Sequence, residues 1–243
     1  MGLSEEPVIS IEGLWMNYSD RMVLRGIDLN VYRGQIIGYI GPNGAGKKHY
    51  RQDYARAGGG LQRDHTDFFG RDISDGDTAY KRRIGYVPEV AELYDSLTAR
   101  EYLTFTGELY GLKQADADDK ARKLIGLLGM EKAYDMRIAS YSKGMKQKVL
   151  LIASMLHDPD ILFLDEPLSG LDANSVMVVK EIFATLAARG KTIFYSSHIM
   201  DVVERISSRI ILLDGGVIVA DGTFTQLREQ SREGSLEGIF LIS

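Results

Sequence analysis

Residues Gly41-Pro42-Asn43-Gly44-Ala45-Gly46-Lys47 have the spacing G-x-x-x-x-G-K of a loop that grips phosphate. Its three glycines let the backbone wrap an anion closely, and Lys47 sets an ammonium against terminal phosphates. The next position, where such loops place a Ser or Thr hydroxyl on a magnesium ion, is Lys48. A second group stands at the end of the apolar run ILFLDEP, Ile161 to Pro167. Asp165 suits a magnesium shell and Glu166 suits orienting or deprotonating a water, although consecutive acids also make plain solubilising turns. The third group is YSKGMKQKV, Tyr141 to Val149. A serine and a glycine at a helix start, here Ser142 and Gly144, can bind an anion through backbone N–H groups and the helix dipole, or Ser142 can act as an ordinary N-cap.

These residues need elements to hold them. QIIGYIG, just before the phosphate loop, is a short apolar run ending in glycine, and it predicts the buried strand that such a loop requires. Val8 to Tyr18 and Gly26 to Val31 roughly alternate, which predicts antiparallel strands. Thr98 to Gly111 and Ala115 to Gly129 carry helical apolar spacing (Leu103, Leu109, Tyr110; Ala121, Leu124, Ile125, Leu128) and read as a separate helical lobe. A further helix follows Tyr141 to Met145. Three buried strands, ILFLD, TIFYSS and RIILLD, then alternate with helical stretches at Ser175 to Arg189 and Met200 to Ser207. That alternation specifies a parallel sheet with helices on its faces.

With 243 residues, 44% of them hydrophobic, the chain can bury one large domain with an inserted lobe. Its net charge of -5 gives no global basic field, so no nucleic-acid partner is expected. Lys143, Lys146 and Lys148 form a short basic cluster that reads as a solvated helix face. The chain has no cysteine and therefore no disulfide. MGLSEEPVIS lacks a basic start followed by an apolar run, so no secretion signal is expected. Runs such as ILFL and IILL are far shorter than the roughly 20 residues of a membrane span, which predicts that any membrane is reached through a partner.

Taken in order with SGLD (Ser169 to Asp172) and SSH (Ser196 to His198), these motifs resemble the ATP-binding cassette family from about Val8 to Leu227. The resemblance implies an α/β fold: a P-loop NTPase core with a mixed, largely parallel sheet, an antiparallel β edge subdomain and an inserted α-helical subdomain. It places the core at approximately 1–88 and 156–230, the helical subdomain at 89–155 and a tail at 231–243. It implies ATP and Mg²⁺ as cofactors, Gly41 to Lys47 as the phosphate loop and Ser142, Lys143, Gly144 and Met145 as the signature turn. Asp165 becomes the magnesium-linked acid, Glu166 the general base and His198 the switch histidine at the γ-phosphate. Asp172 belongs to a loop crossing a dimer, and Tyr18 looks like the aromatic that stacks on adenine. Glu89, in GYVPEV, stands where the family usually has glutamine, and its carboxylate is a further candidate for binding Mg²⁺ or sensing a partner.

The activity implied is that of an ATP-hydrolysing subunit powering transport through a separate membrane permease. The subunit would act in a head-to-tail homodimer, or a heterodimer with a related cassette, cytoplasmic and held peripherally on the inner face of the cell membrane by the permease. Glu89 and the Tyr-Ser-Lys-Gly-Met turn, in place of the commoner Leu-Ser-Gly-Gly-Gln, resemble exporter subfamilies. Two alternatives stay open. One is a soluble cassette ATPase acting on nucleic acid or ribosomes, although such relatives usually carry two cassettes or a long coiled coil. The other, suggested by Lys48, is a non-hydrolysing nucleotide-binding module.

Residues 48–69 depart from the family over their whole length. The pattern calls for two hydroxyl residues, an apolar helix, a glycine turn and an alternating strand ending near Gly70. The chain has Lys48, His49 and Tyr50, then Arg51 and Asp53, then Gly58, Gly59 and Gly60, then a polar run. Three consecutive glycines cost about 1 kcal/mol each within a helix. Codons compatible with this block, read one nucleotide later, can encode Ser-Thr-Thr-Val-Lys-Ile-Met and then a glycine turn and an alternating strand. Two compensating frame shifts produce such a length-preserving block.

Overall fold

The computed structural model describes residues 6–18, 21–41, 61–62, 65–72, 78–197 and 200–230. The chain forms two compact units, 1–80 with 194–243, and 81–193.

In the first unit, β1 (Ile9–Tyr18) pairs antiparallel with β2 (Arg21–Val31), with Ile9 opposite Val31 and Tyr18 opposite Arg21. On its other side β1 pairs with two short strands, β4 (Leu61–Gln62) and β5 (His65–Phe68). The strand that the family resemblance requires before Gly70 is thus present as β5, despite the polar run. Thr66 and Phe68 point into the core, and Asp67 between them is half-buried. The hydroxyl of Thr66 is buried and finds no hydrogen-bond partner among the described residues. A buried hydroxyl without a partner costs about 1–3 kcal/mol. Thr66→Val keeps the side-chain shape and removes that cost, so it is expected to raise stability by about 1 kcal/mol in urea titration. A loss of stability would show that Thr66 makes a hydrogen bond in solution.

β3 (Ile36–Ile40) is buried at all five positions, as a strand covered on both faces must be. It runs parallel to β9 (Arg209–Asp214), with Ile37 opposite Arg209 and Ile40 opposite Leu212. β9 turns back through Gly215 and Gly216, both at positive φ, into β10 (Val217–Gly222). Two residues at positive φ suit a tight hairpin connection between twisted strands. The sequence pattern had predicted RIILLD but not this antiparallel partner. On its other side β3 neighbours β8 (Thr192–Ser196), whose last three residues belong to this unit.

The second unit contains β6 (Ile84–Val87) and β7 (Ile161–Asp165), parallel and in register from Ile84 opposite Ile161 to Val87 opposite Leu164. Asp160 aligns their starts: its carboxylate accepts from Arg83 Nε at 2.6 Å, and its backbone N–H donates to the Arg83 carbonyl. The helical lobe comprises α1 (Ala99–Leu109), α2 (Gln114–Leu127) and α3 (Lys143–Met155). α1 opens with a capping box: Thr98 Oγ1 accepts from Glu101 N–H, and Glu101 Oε2 accepts from Thr98 N–H. Leu103, Ala121, Ile125 and Leu128 are buried as their spacing predicts, whereas Leu109 is 68% exposed. α4 (Ala173–Ala188) follows β7. Two further short α-helices, α5 (Met200–Ile206) and α6 (Phe224–Gln230), belong to the first unit.

Candidate functional site

Gly41 follows β3 directly and is buried. Pro42, Asn43, Gly44, Ala45, Gly46 and Lys47 lie outside the described residues, as do Lys48 and His198. Tyr18 ends β1 opposite Arg21, and its side chain also lies outside them.

The second unit holds the other candidates. Because Val87 and Leu164 are register partners on parallel strands, Glu89 and the Asp165-Glu166 pair leave the sheet at the same end. Asp165 is buried as the last residue of β7 and Glu89 is exposed. Glu166 takes a left-handed backbone, φ 46°. A non-glycine residue pays of order 1 kcal/mol for that conformation, and it persists where the surroundings impose it. Here the turn is closed by Ser169 N–H donating to the Glu166 carbonyl at 3.0 Å.

The signature turn forms the first turn of α3. Ser142 is its N-cap and accepts from Met145 N–H at 3.2 Å. The ordinary capping role is therefore realised, and the other first-turn N–H groups, like those of any α-helix, point toward its N-terminal end without intrahelical partners. Asp172 caps α4: its carboxylate accepts from Ser175 N–H at 2.9 Å and from Ser175 Oγ at 2.6 Å. These two bonds, aided by the neighbouring ammonium of Lys148, hold the Asp172 carboxyl far below the usual carboxylate range.

The basic cluster is not the uniformly solvated face that its composition predicts. Lys143 is exposed, but the side chain of Lys148 is only 12% exposed and bridges the Asp172 carboxylate (3.3 Å) and the Leu128 carbonyl (3.1 Å). Lys146 pairs with Asp95 at 2.7 Å. A mostly buried lysine is rare without partners, and nothing in the local pattern of α3 names Asp172 as one.

Among the described residues no cluster of three or more His, Asp or Glu side chains could hold a metal alone. Asp165 fits a magnesium shell completed by phosphate and hydroxyl oxygens, since Mg²⁺ is commonly held by one or two carboxylates plus substrate phosphates. The residue type at position 48, lysine, supplies no hydroxyl for such a shell.

A phosphate-loop sequence after one buried strand and an acid pair after another define an α/β nucleotide-binding fold. The family model described as ABC transporter matches residues 24–169. An ABC transporter ATP-binding protein of Synechocystis sp. is 36% identical over 220 residues, covering 88% of this chain and 60% of the relative. The daunorubicin/doxorubicin resistance ATP-binding protein DrrA of Streptomyces peucetius is 34% identical over 231 residues, covering 93% of this chain and 69% of the relative. A solved structure described as the ATP binding subunit of an ABC transporter aligns with a TM-score of 0.87 at 30% identity, covering 96% of this chain and 98% of that one. The chain belongs to the ABC transporter family, among its ATP-binding proteins. It spans 60% and 64% of the length of two of the curated relatives it matches.

Proposed function

We propose that the chain binds and hydrolyses ATP to power transport through a separate permease, and that it works as a head-to-tail dimer. Each ATP would lie between Gly41 to Lys47 of one subunit and Ser142 to Met145 of the other, with Tyr18 on the adenine and His198 at the γ-phosphate. Magnesium, held in part by Asp165, neutralises charge on the phosphates when bound. Glu166 accepts the proton of the attacking water, and the loop through Asp172 crosses to the partner. The observation that carries this reading is the left-handed Glu166 directly after a buried acid at a strand end, next to a capped signature turn. Strain of this kind gathers where a side chain must be aimed. Lys48 favours a second reading, a module that binds nucleotide without turning it over.

Export is the direction that Glu89 and the Tyr-Ser-Lys-Gly-Met turn favour, and the drug-resistance relative supports it. No helix among the described residues is long and apolar enough to cross a membrane. The permease would dock around Glu89 to Thr98, where Val90 (65%) and Tyr94 (63%) are exposed, and would hold the chain on the cytoplasmic face. Affinity capture of the tagged chain from native membranes is expected to recover a polytopic membrane protein, and cross-linkers placed at position 90 or 94 should reach it. Recovery of ribosomes or DNA alone would replace this function with that of a non-transport cassette ATPase.

A further inference from the structure

Four ties join one face of α3 to the turn that begins at Glu166. Lys143 Nζ donates to Ser169 Oγ at 3.2 Å, and Gln147 Nε2 donates to the Pro167 carbonyl at 3.3 Å. Gly144 lies so close to the Gly170 carbonyl that a Cβ there would collide with it. Lys148 Nζ meets Asp172 Oδ2 at 3.3 Å. Positions 143, 144, 147 and 148 share one helix face, and their partners run from Pro167 to Asp172.

The ties differ in weight. The Lys143 bond is exposed and exchanges readily with water, so it holds little. Lys148 is largely buried, and its ammonium ties two helix ends together: it donates to the Leu128 carbonyl at the C-terminus of α2, where the helix dipole favours a cation, and pairs with the carboxylate of Asp172, the N-cap of α4. Resting on the reading of Glu166 as the general base, we propose that Lys148 is a positioning residue for hydrolysis. It locks the signature turn and the Glu166–Asp172 turn of one chain into a single piece, so that an occupant of the signature turn sets the aim of Glu166.

Lys148→Met keeps the aliphatic stem and removes the ammonium, while Lys148→Arg keeps the charge. Hydrogen exchange of the whole chain is expected to rise about tenfold over residues 169–176 in Lys148→Met, with α1 unchanged and with parental protection returned by Lys148→Arg. The same pair is compared for ATP turnover in the chain as written and in one carrying Lys48→Ser and His49→Thr. There Lys148→Met is expected to lower kcat about tenfold at unchanged KM for ATP, and Lys148→Arg to restore it. Unchanged exchange over 169–176 would overturn the proposal. So would a kcat loss that Arg does not restore and that comes with raised exchange through α1 and α2, since that marks a folding role. Failure of every version to bind or hydrolyse ATP would refute the proposed function, and the exchange comparison would still decide whether the lock exists.

Discussion

The chain carrying Lys48→Ser and His49→Thr, together with the apolar helix and strand of the shifted frame, is expected to hydrolyse ATP at least about 10²-fold faster than the chain as written. Loss of one well-placed transition-state contact costs roughly 10²–10³ in rate. On the proposed arrangement Lys48 would remove such a contact and add a cation beside the metal position. Two unit charges about 4 Å apart repel by about 4 kcal/mol at an effective dielectric near 20. On that arrangement Lys47 and the loop amides would still hold phosphate through charge and N–H donors, so ATP binding by the chain as written should be weak and nearly indifferent to Mg²⁺. In the repaired chain affinity should rise with added Mg²⁺. Phosphate release and equilibrium binding, each with and without Mg²⁺, read the two effects separately. Ordinary turnover by the chain as written, with an uninterrupted natural reading frame for residues 48–69, would refute both the damage at Lys48 and the frame-shift account.

Much of the fold that carries the candidate residues was legible because its signals are local. A fully apolar run such as IIGYI or ILFLD has to be covered on both faces, and it became a buried strand in each case. Ser142 followed by an amphipathic stretch became a capped helix. What the local pattern lacked was any sign of tertiary partnership. Lys148 looks like its solvated neighbours along the chain, and only the fold brings Asp172 and the end of α2 to it. Leu109 fits the apolar period of α1 yet faces outward, because periodicity names a stripe and the neighbouring elements decide how much of it is covered. The β9–β10 hairpin did carry a signal, Asp214-Gly215-Gly216 between apolar runs, which pattern reading overlooked in favour of strand-helix alternation. The left-handed Glu166 could not have been read, since a glutamate adopts that conformation only when a closed turn imposes it.

That imposed conformation makes Glu166→Gln the sharpest probe of the proposed chemistry. Glutamine matches glutamate in size and can keep the turn, because the turn is closed by backbone groups, Ser169 N–H on the Glu166 carbonyl. It cannot accept the proton of an attacking water. General-base catalysis contributes about 10²–10⁴ in rate, so in the repaired chain turnover is expected to fall by that factor while ATP binding persists. On the proposed arrangement each ATP joins the phosphate loop of one subunit to the signature turn of the other, and unhydrolysed ATP keeps the pair closed. Glu166→Gln with ATP and Mg²⁺ should therefore elute as a dimer in size-exclusion chromatography, and the same protein without nucleotide as a monomer. Adding Lys148→Met should weaken that dimer only if the lock between the signature turn and the Glu166 turn also shapes the face presented to the partner. A monomer at saturating ATP with hydrolysis abolished would keep Glu166 as the base and remove the head-to-tail dimer. A dimer with turnover intact would keep the assembly and take the base away from Glu166.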